Sequence, residues 1–505
     1  MAKDTKAARE RALRTGGKLF GGLALLLLAA AAATSLWARH SFTPVEAMVA
    51  LHASMFAHGE GLYYKLNQYP FTVSPYGPLL YGLSAGLHLL GLPLYQAARA
   101  ISFLALLGAL WSGWRILGYL KVDQWSQRAS ILLAGATANL VLWGTTGQVD
   151  MLAAALSIAA FERFLAWHAS GKRTALVTAG ALIVLSVFTK QTALAGGTTI
   201  GLWLLWNDRR TAVRWIAGVL TAGIAVALAL NASTHGGWVE NAILANLNPF
   251  AWHKLESQAS YFLLTSSGLL ILALAGLGKA TRDQRWLFVY AGLATLVWLA
   301  TAPKEGSDLN YQIEMTLLWA LCAGCSLSRL EFHAKAVAGD RSWVTLLQIP
   351  LVLHLVLNLL ITAKSVVVRA VIEPERRQAM AALAPHVADG RVLVSDYDAL
   401  LQLRGRTEVE TLIYTLLVDA GRMDPRPVIH DIEAGKFRKI VLWKDLTAAA
   451  PPGTEINKES LELPADVARA VRENYRLSAT VPEAFFGPYH VYEPKRLPAE
   501  TAAAR

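Results

Sequence analysis

The segment Pro78-Leu-Leu-Tyr-Gly-Leu-Ser-Ala-Gly-Leu-His-Leu-Leu-Gly-Leu-Pro93-Leu94 is almost wholly apolar, and whether it crosses a bilayer fixes how everything after it is read. A full crossing would put Lys121 and Arg128, Lys172 and Arg173, Arg209 and Arg210, and Arg282 and Arg285 outside. That opposes the positive-inside rule, under which short cytoplasmic loops collect Lys and Arg. A re-entrant or interfacial helix removes the conflict, and Pro75, Pro78 and Pro93 at its ends suit a broken element.

With that reading, apolar spans fall near 18–38, 96–119, 129–146, 150–168, 174–189, 192–206, 211–231, 261–278, 286–302, 311–330 and 343–363. They make about eleven crossings, each near the length a bilayer requires. The N-terminus is then cytoplasmic and the C-terminus external. Lys3, Lys6, Arg9, Arg11, Arg14 and Lys18 precede the apolar run Leu19–Ala33, which reads as a retained first helix rather than a cleaved signal peptide.

The composition agrees. A chain of 505 residues that is 54% hydrophobic and 16% charged, with mean hydropathy +0.37, is not an ordinary soluble protein. Its net charge of +11 is carried by short inter-span loops, so nucleic acid is not an expected partner. The two cysteines, Cys322 and Cys325, lie in an apolar run and read as packing residues rather than a redox or metal pair.

Beyond Lys364 the apolar runs shorten and turn residues multiply. This divides the chain into a membrane domain, 1–363, and an external domain, 364–505. Residues 391–395 and 439–443 predict short strands, and 375–383 and 466–475 predict helices, a small α/β domain.

The breaks assigned to the outer face hold the chemistry. In the loop 39–77, Pro44 opens a short helix with Glu46 in its first turn, where a carboxylate also suits the helix dipole. Gly147-Gln-Val-Asp150 starts one span. Phe188-Thr-Lys190-Gln191-Thr192 sits between two others, where a snorkelling lysine is the plain alternative. Asn246, Asn248, His253 and Lys254 follow, then Lys304-Glu305-Gly-Ser-Asp-Leu-Asn310-Tyr311 and Glu314. Polar groups gathered at one membrane face favour a surface active site over a transmembrane pathway.

Glycosyl transfer from a lipid-phosphate sugar needs such a set. Phosphate leaves without a protein acid, so one carboxylate suffices to deprotonate the acceptor hydroxyl. Lysine, or a divalent cation such as Mg or Mn, then stabilises the departing phosphate. Glu46, Asp150, His253 and Glu305 offer ligand atoms for a metal, although no spacing signature demands one.

At these residues the chain resembles the GT-C glycosyltransferases, the polyprenyl-phosphate-sugar-dependent superfamily that includes protein O-mannosyltransferases and bacterial aminoarabinose transferases. The matching pieces are the first loop with Glu46, Gly59–Tyr64, Tyr76–Tyr81, Gly147–Asp150, Phe188–Thr192 and Gly306–Tyr311, over about residues 18–363. Many relatives carry an Asp-Glu or Asp-containing pair where this chain reads Val45-Glu46, and Tyr-Pro-Pro-Leu where it reads Tyr76-Gly77-Pro78-Leu79.

The resemblance implies an inverting transferase at the outer face of the bacterial cytoplasmic membrane. Glu46 would be the catalytic base. Lys190, Gln191, Tyr76, Lys304, Asn310 and Tyr311 would bind a polyprenyl-phosphate donor, while Asp150, His253 and Glu305 would line the cavity. The acceptor, whether glycan, lipid or protein, is left open. A transporter or lipid flippase is the alternative, with little mid-membrane charge or repeat symmetry behind it. A scaffold acting through Asp396, Asp398, Arg404 and Arg406 is a third reading.

Overall fold

The computed structural model describes residues 2–331, 343–387, 392–394, 408–447, 463–483 and 487–496. Asp396, Asp398, Arg404 and Arg406 lie outside them. The molecule is a helical membrane bundle carrying a small α/β domain on one face. In chain order the bundle comprises α1 (Ala2–Trp37), α2 (Pro44–Ala57), α3 (Pro78–Leu89), α4 (Leu94–Tyr119), α5 (Gln124–Ala136), α6 (Ala138–Gly144) and α7 (Val149–Ser170). It continues with α8 (Arg173–Val187), α9 (Ala195–Asn207), α10 (Arg209–Ser233), α11 (Gly237–Ala242), α12 (Trp252–Ala275), α13 (Arg282–Thr301), α14 (Ile313–Arg329) and α15 (Trp343–Val387).

Among the described residues, five helices are long and apolar enough to cross a membrane by themselves: 15–37, 94–119, 209–233, 252–279 and 346–387. The other expected spans are helices that are shorter or carry more charge. Buried residues of α4, α7, α13 and α14, among them Leu106, Ile158, Phe161, Leu287 and Leu321, form the central core. α3 has only 12 residues, about 18 Å of helix, against a hydrocarbon core of about 30 Å. It packs between α2 and α4.

The span expected at 129–146 is broken. Thr137 takes an extended conformation between α5 and α6, which frees the Ala138 N–H. Asn358 of α15 accepts it at 2.9 Å and donates to the Thr265 carbonyl at 2.7 Å. The polar side chain on the facing helix thus completes the interrupted backbone ladder, as an apolar surround demands.

α15 is 45 residues long. It runs through the expected junction at 363/364 and absorbs the helix expected at 375–383. Beyond it come β1 (Val392–Val394), α16 (Thr411–Asp419), α17 (Arg426–Glu433), β2 (Lys439–Leu442), α18 (Ala465–Asn474), β3 (Tyr475–Val481) and β4 (Tyr489–Pro494). The sheet order is β1-β2-β4-β3, with β1 parallel to β2 and the other pairs antiparallel.

β2 is apolar on both faces for a physical reason, since alternate side chains point opposite ways. Val441 packs with Leu383 at the end of α15, whereas Ile440 and Leu442 join Val428, Val467 and Phe71. Phe71 belongs to the first loop, and its backbone forms a parallel bridge with Val409 through hydrogen bonds of 2.9 and 2.8 Å. The small domain therefore sits on that loop.

Candidate active site

Local rules bring the pieces together. Thr43 caps α2, accepting the Glu46 N–H at 3.1 Å, and Pro44 fills the first helical position. Adjacent residues on a helix point about 100° apart, so Val45 and Glu46 face different surroundings. Val45 lines a cavity with Tyr76, Asn248, Lys304, Glu305 and Tyr311. Glu46 points inward, with no exposed surface.

Glu46 is fully engaged. Oε1 accepts from Arg99 Nε at 2.8 Å and Gly147 N at 2.7 Å; Oε2 accepts from Arg99 Nη2 at 2.9 Å and Phe42 N at 2.7 Å. Arg99, itself buried, also donates to the carbonyls of Ser35, Ala38 and His40. Gly147 is required at this spot because a Cβ there would lie 2.7 Å from that of Ala98.

A chain of polar groups leads from this pair to Lys190. Gln148 donates to Thr43 Oγ1 at 2.7 Å, and Asn310 donates to Gln148 at 3.2 Å and to Asp150 Oδ2 at 2.8 Å. Asp150 forms an ion pair with Lys190, whose ammonium lies 3.5 Å from the centroid of the Tyr311 ring. Burial pulls the Lys190 pKa down, but Asp150 and Tyr311 outweigh it and hold the amine above its ordinary value. Glu46 and Lys190 thus belong to one network at the sheet-bearing face.

Lys304 differs. It donates to the Asn246 side chain at 3.2 Å and lines two cavities. Burial, then the nearby charge of Lys190, lowers its pKa to about 8. One cavity, of about 450 Å³, is bounded by Tyr76, Phe188, Lys190, Trp238, Leu247 and Lys304, an apolar chamber with two amines at one side. The other is the smaller space beside Val45 and Glu305, roofed by Ile413 and Leu416 of α16. Tyr76, Asn246, Lys304 and Tyr311 line both. Gly77 permits this proximity, because a Cβ at that position would fall 1.8 Å from the Phe188 carbonyl oxygen.

No protein-family model matches the chain, and no curated protein sequence matches it. Solved structures do. ArnT from Cupriavidus metallidurans in the apo state superposes with a TM-score of 0.63 at 14% identity, over 95% of this chain and 98% of ArnT. The same protein bound to undecaprenyl phosphate gives 0.60 at 14% identity, over 94% and 97%. Arabinofuranosyltransferase AftD from mycobacteria gives 0.53 at 17% identity, over 93% of this chain and 40% of AftD. The chain has the GT-C fold.

Within this GT-C fold the residues singled out from sequence separate into groups. Lys190, Asp150, Asn310 and Tyr311 meet, and Tyr76, Lys304 and Glu305 stand beside them. Gln191 lines the larger chamber while its amide binds the carbonyls of Pro75 and Ala242, so it ties the first loop to α11. His253 is a correction: it lies exposed in the first turn of α12 and lines none of these cavities. Glu46 has no lone pair open to a cavity, and accepting a proton would require it to leave Arg99. Arg99 itself was missed because an arginine inside an apolar run reads as an interface charge.

The carboxylate of Glu305 has no hydrogen-bond or ion-pair partner among the described residues, and only its backbone is tied, to Pro249 and Asn248. Among the described residues no group of three or more His, Cys, Asp or Glu is placed to hold a metal ion. Asp150 and Glu46 are committed to Lys190 and Arg99 instead.

Proposed function

We propose that this protein transfers a sugar from a polyprenyl-phosphate carrier to an acceptor hydroxyl, with inversion, at the outer face of a bacterial cytoplasmic membrane. The observation that carries the reading is the pair of cavities with a common wall. One is apolar and flanked by Lys190 and Lys304; the other is lined by Glu305. The likeness to ArnT, which was solved bound to undecaprenyl phosphate, supports a lipid-phosphate carrier.

In this reading the prenyl chain lies against Phe188, Trp238 and Leu247, and its phosphate meets Lys304. Lys190 is already neutralised by Asp150, so Lys304 supplies the uncompensated positive charge and Lys190 fixes its surroundings. The acceptor oxygen attacks the anomeric carbon from the Glu305 side, and its proton passes to the Glu305 carboxylate. The bond from that carbon to the phosphate oxygen breaks, and its electron pair leaves with the polyprenyl phosphate. Attack opposite the leaving group inverts the centre. Glu46 is a positioning residue, holding Arg99 and the turn at Gly147 that presents Gln148 and Asp150. The lipid chamber is lined by the helical bundle, and Ile413 and Leu416 of α16 in the C-terminal domain roof the acceptor side.

The test exploits Val45, which shares the cavity with Glu305. Glu305→Gln should lower turnover of a polyprenyl-phosphate sugar by about 10²-fold or more, and Val45→Asp in that background should restore part of it. Full activity in Glu305→Gln would remove this residue from the mechanism. Absence of any glycosylated product with substrate accumulation in sealed vesicles would support a transporter instead.

A further inference from the structure

A third cavity, of about 230 Å³, lies between the first loop, α6, α12 and α15. It takes no part in the chemistry above; of its two arginines, Arg376 faces the Glu483 carboxylate at 3.9 Å. Arg369 and Arg376 line it, buried to 9% and 1% exposure. Arg369 donates to Thr145 Oγ1 at 2.8 Å, Thr146 Oγ1 at 3.0 Å and the Leu142 carbonyl at 3.1 Å. Its guanidinium lies 4.2 Å from the centroid of Phe42, as does that of Arg99. Among the described residues no carboxylate reaches Arg369 at ion-pair distance, and its Nε has no acceptor. Glu373 also lines the space, but its oxygens accept from Arg39 N, His40 and Arg377.

The carboxylate whose charge reaches Arg369 is Glu46, but both its oxygens already accept from Arg99, so two buried guanidiniums share one carboxylate. Such an excess of buried charge is costly unless a ligand offsets it. The hydroxyls of Ser365 and Tyr261 border the same space and make no hydrogen bond among the described residues, so they are further donors for an anion. The cavity also adjoins the reaction centre. Thr43 and Leu309 line it, and Pro44, Val45 and Tyr311, close to them in the chain, line the smaller cavity with Glu305. Along α15, exposed Leu353, Leu360, Val367 and Val371 make one apolar stripe that ends beside it, next to Val368 of its lining. A chain lying on that stripe would present its head group to Arg369.

We infer that this cavity binds the anionic head group of an amphiphile, a phosphate or carboxylate, on the acceptor side of the reaction. The binding site rests on Arg369 and its surroundings; only the words "acceptor side" rest on the glycosyl-transfer reading.

Binding without turnover tests it. The full-length protein in a neutral detergent is titrated with dodecyl phosphate and, separately, with inorganic phosphate. Dodecyl phosphate should occupy two classes of site. Arg369→Gln should weaken one class by about tenfold or more, and Val368→Trp should block that same class from a partly exposed position that spares the buried network. Lys304→Ala should weaken only the other. If neither Arg369→Gln nor Val368→Trp changes binding, the site is overturned. Equal affinity for inorganic phosphate overturns the amphiphile. If the Arg369-dependent class stays while no Lys304-dependent class is found, this inference stands and the donor reading fails.

Discussion

At the scale of single residues, burial separates two roles that share a carboxylate. Glu46 and Arg99 form a bidentate pair with 0% and 1% side-chain exposure. Removing one partner from such a pair leaves a buried charge, which costs about 3–5 kcal/mol. Glu46→Gln is therefore expected to lower the thermal unfolding midpoint along with activity, whereas a lost base would depress turnover alone. Unfolding measured in detergent separates the two. Lys304 gives a second expectation. Its pKa of about 8 means that the amine is charged below that pH and neutral above it. The phosphate monoester is already dianionic there, its second pKa being about 6. Affinity for a polyprenyl phosphate should hold steady between about pH 6 and 8 and then weaken by as much as about tenfold per unit, until the pKa of the complex is reached. Lys304→Arg should abolish the slope, because guanidinium stays charged.

At the scale of elements, the sequence is most legible where one helix buries one face, and least where two elements cooperate. The helices at 94–119 and 209–233 follow their apolar runs closely. The break at Thr137 was not visible, because nothing local requires it; the partner that stabilises it, Asn358, lies 220 residues away. Asn358→Leu should leave the Ala138 N–H unpaired in an apolar setting, at about 1–3 kcal/mol, read as a lower unfolding midpoint with donor binding retained. β3 and β4 were missed although residues 475–481 alternate in burial as a half-covered strand does and pair with the nearby 489–494. The strands that were read, at 391–395 and 439–443, are built on continuous apolar runs. The helix 465–474 was found because its polar and apolar residues separate cleanly by face.

At the scale of the molecule, the gathering of Tyr76, Lys190, Lys304 and Tyr311 was legible as a set, because each sits in a polar break between apolar runs. What each does was not. Val45 and Glu46 are neighbours in sequence, yet one faces a cavity and the other the interior, a distinction set by how α2 docks. The common wall of the two cavities has a practical consequence. A single inhibitor joining a lipophilic phosphonate to a short polyol would bridge both compartments past Tyr76 and Tyr311. Because the linker fixes the distance between its two ends, such a compound would gain affinity without needing the natural sugar at all.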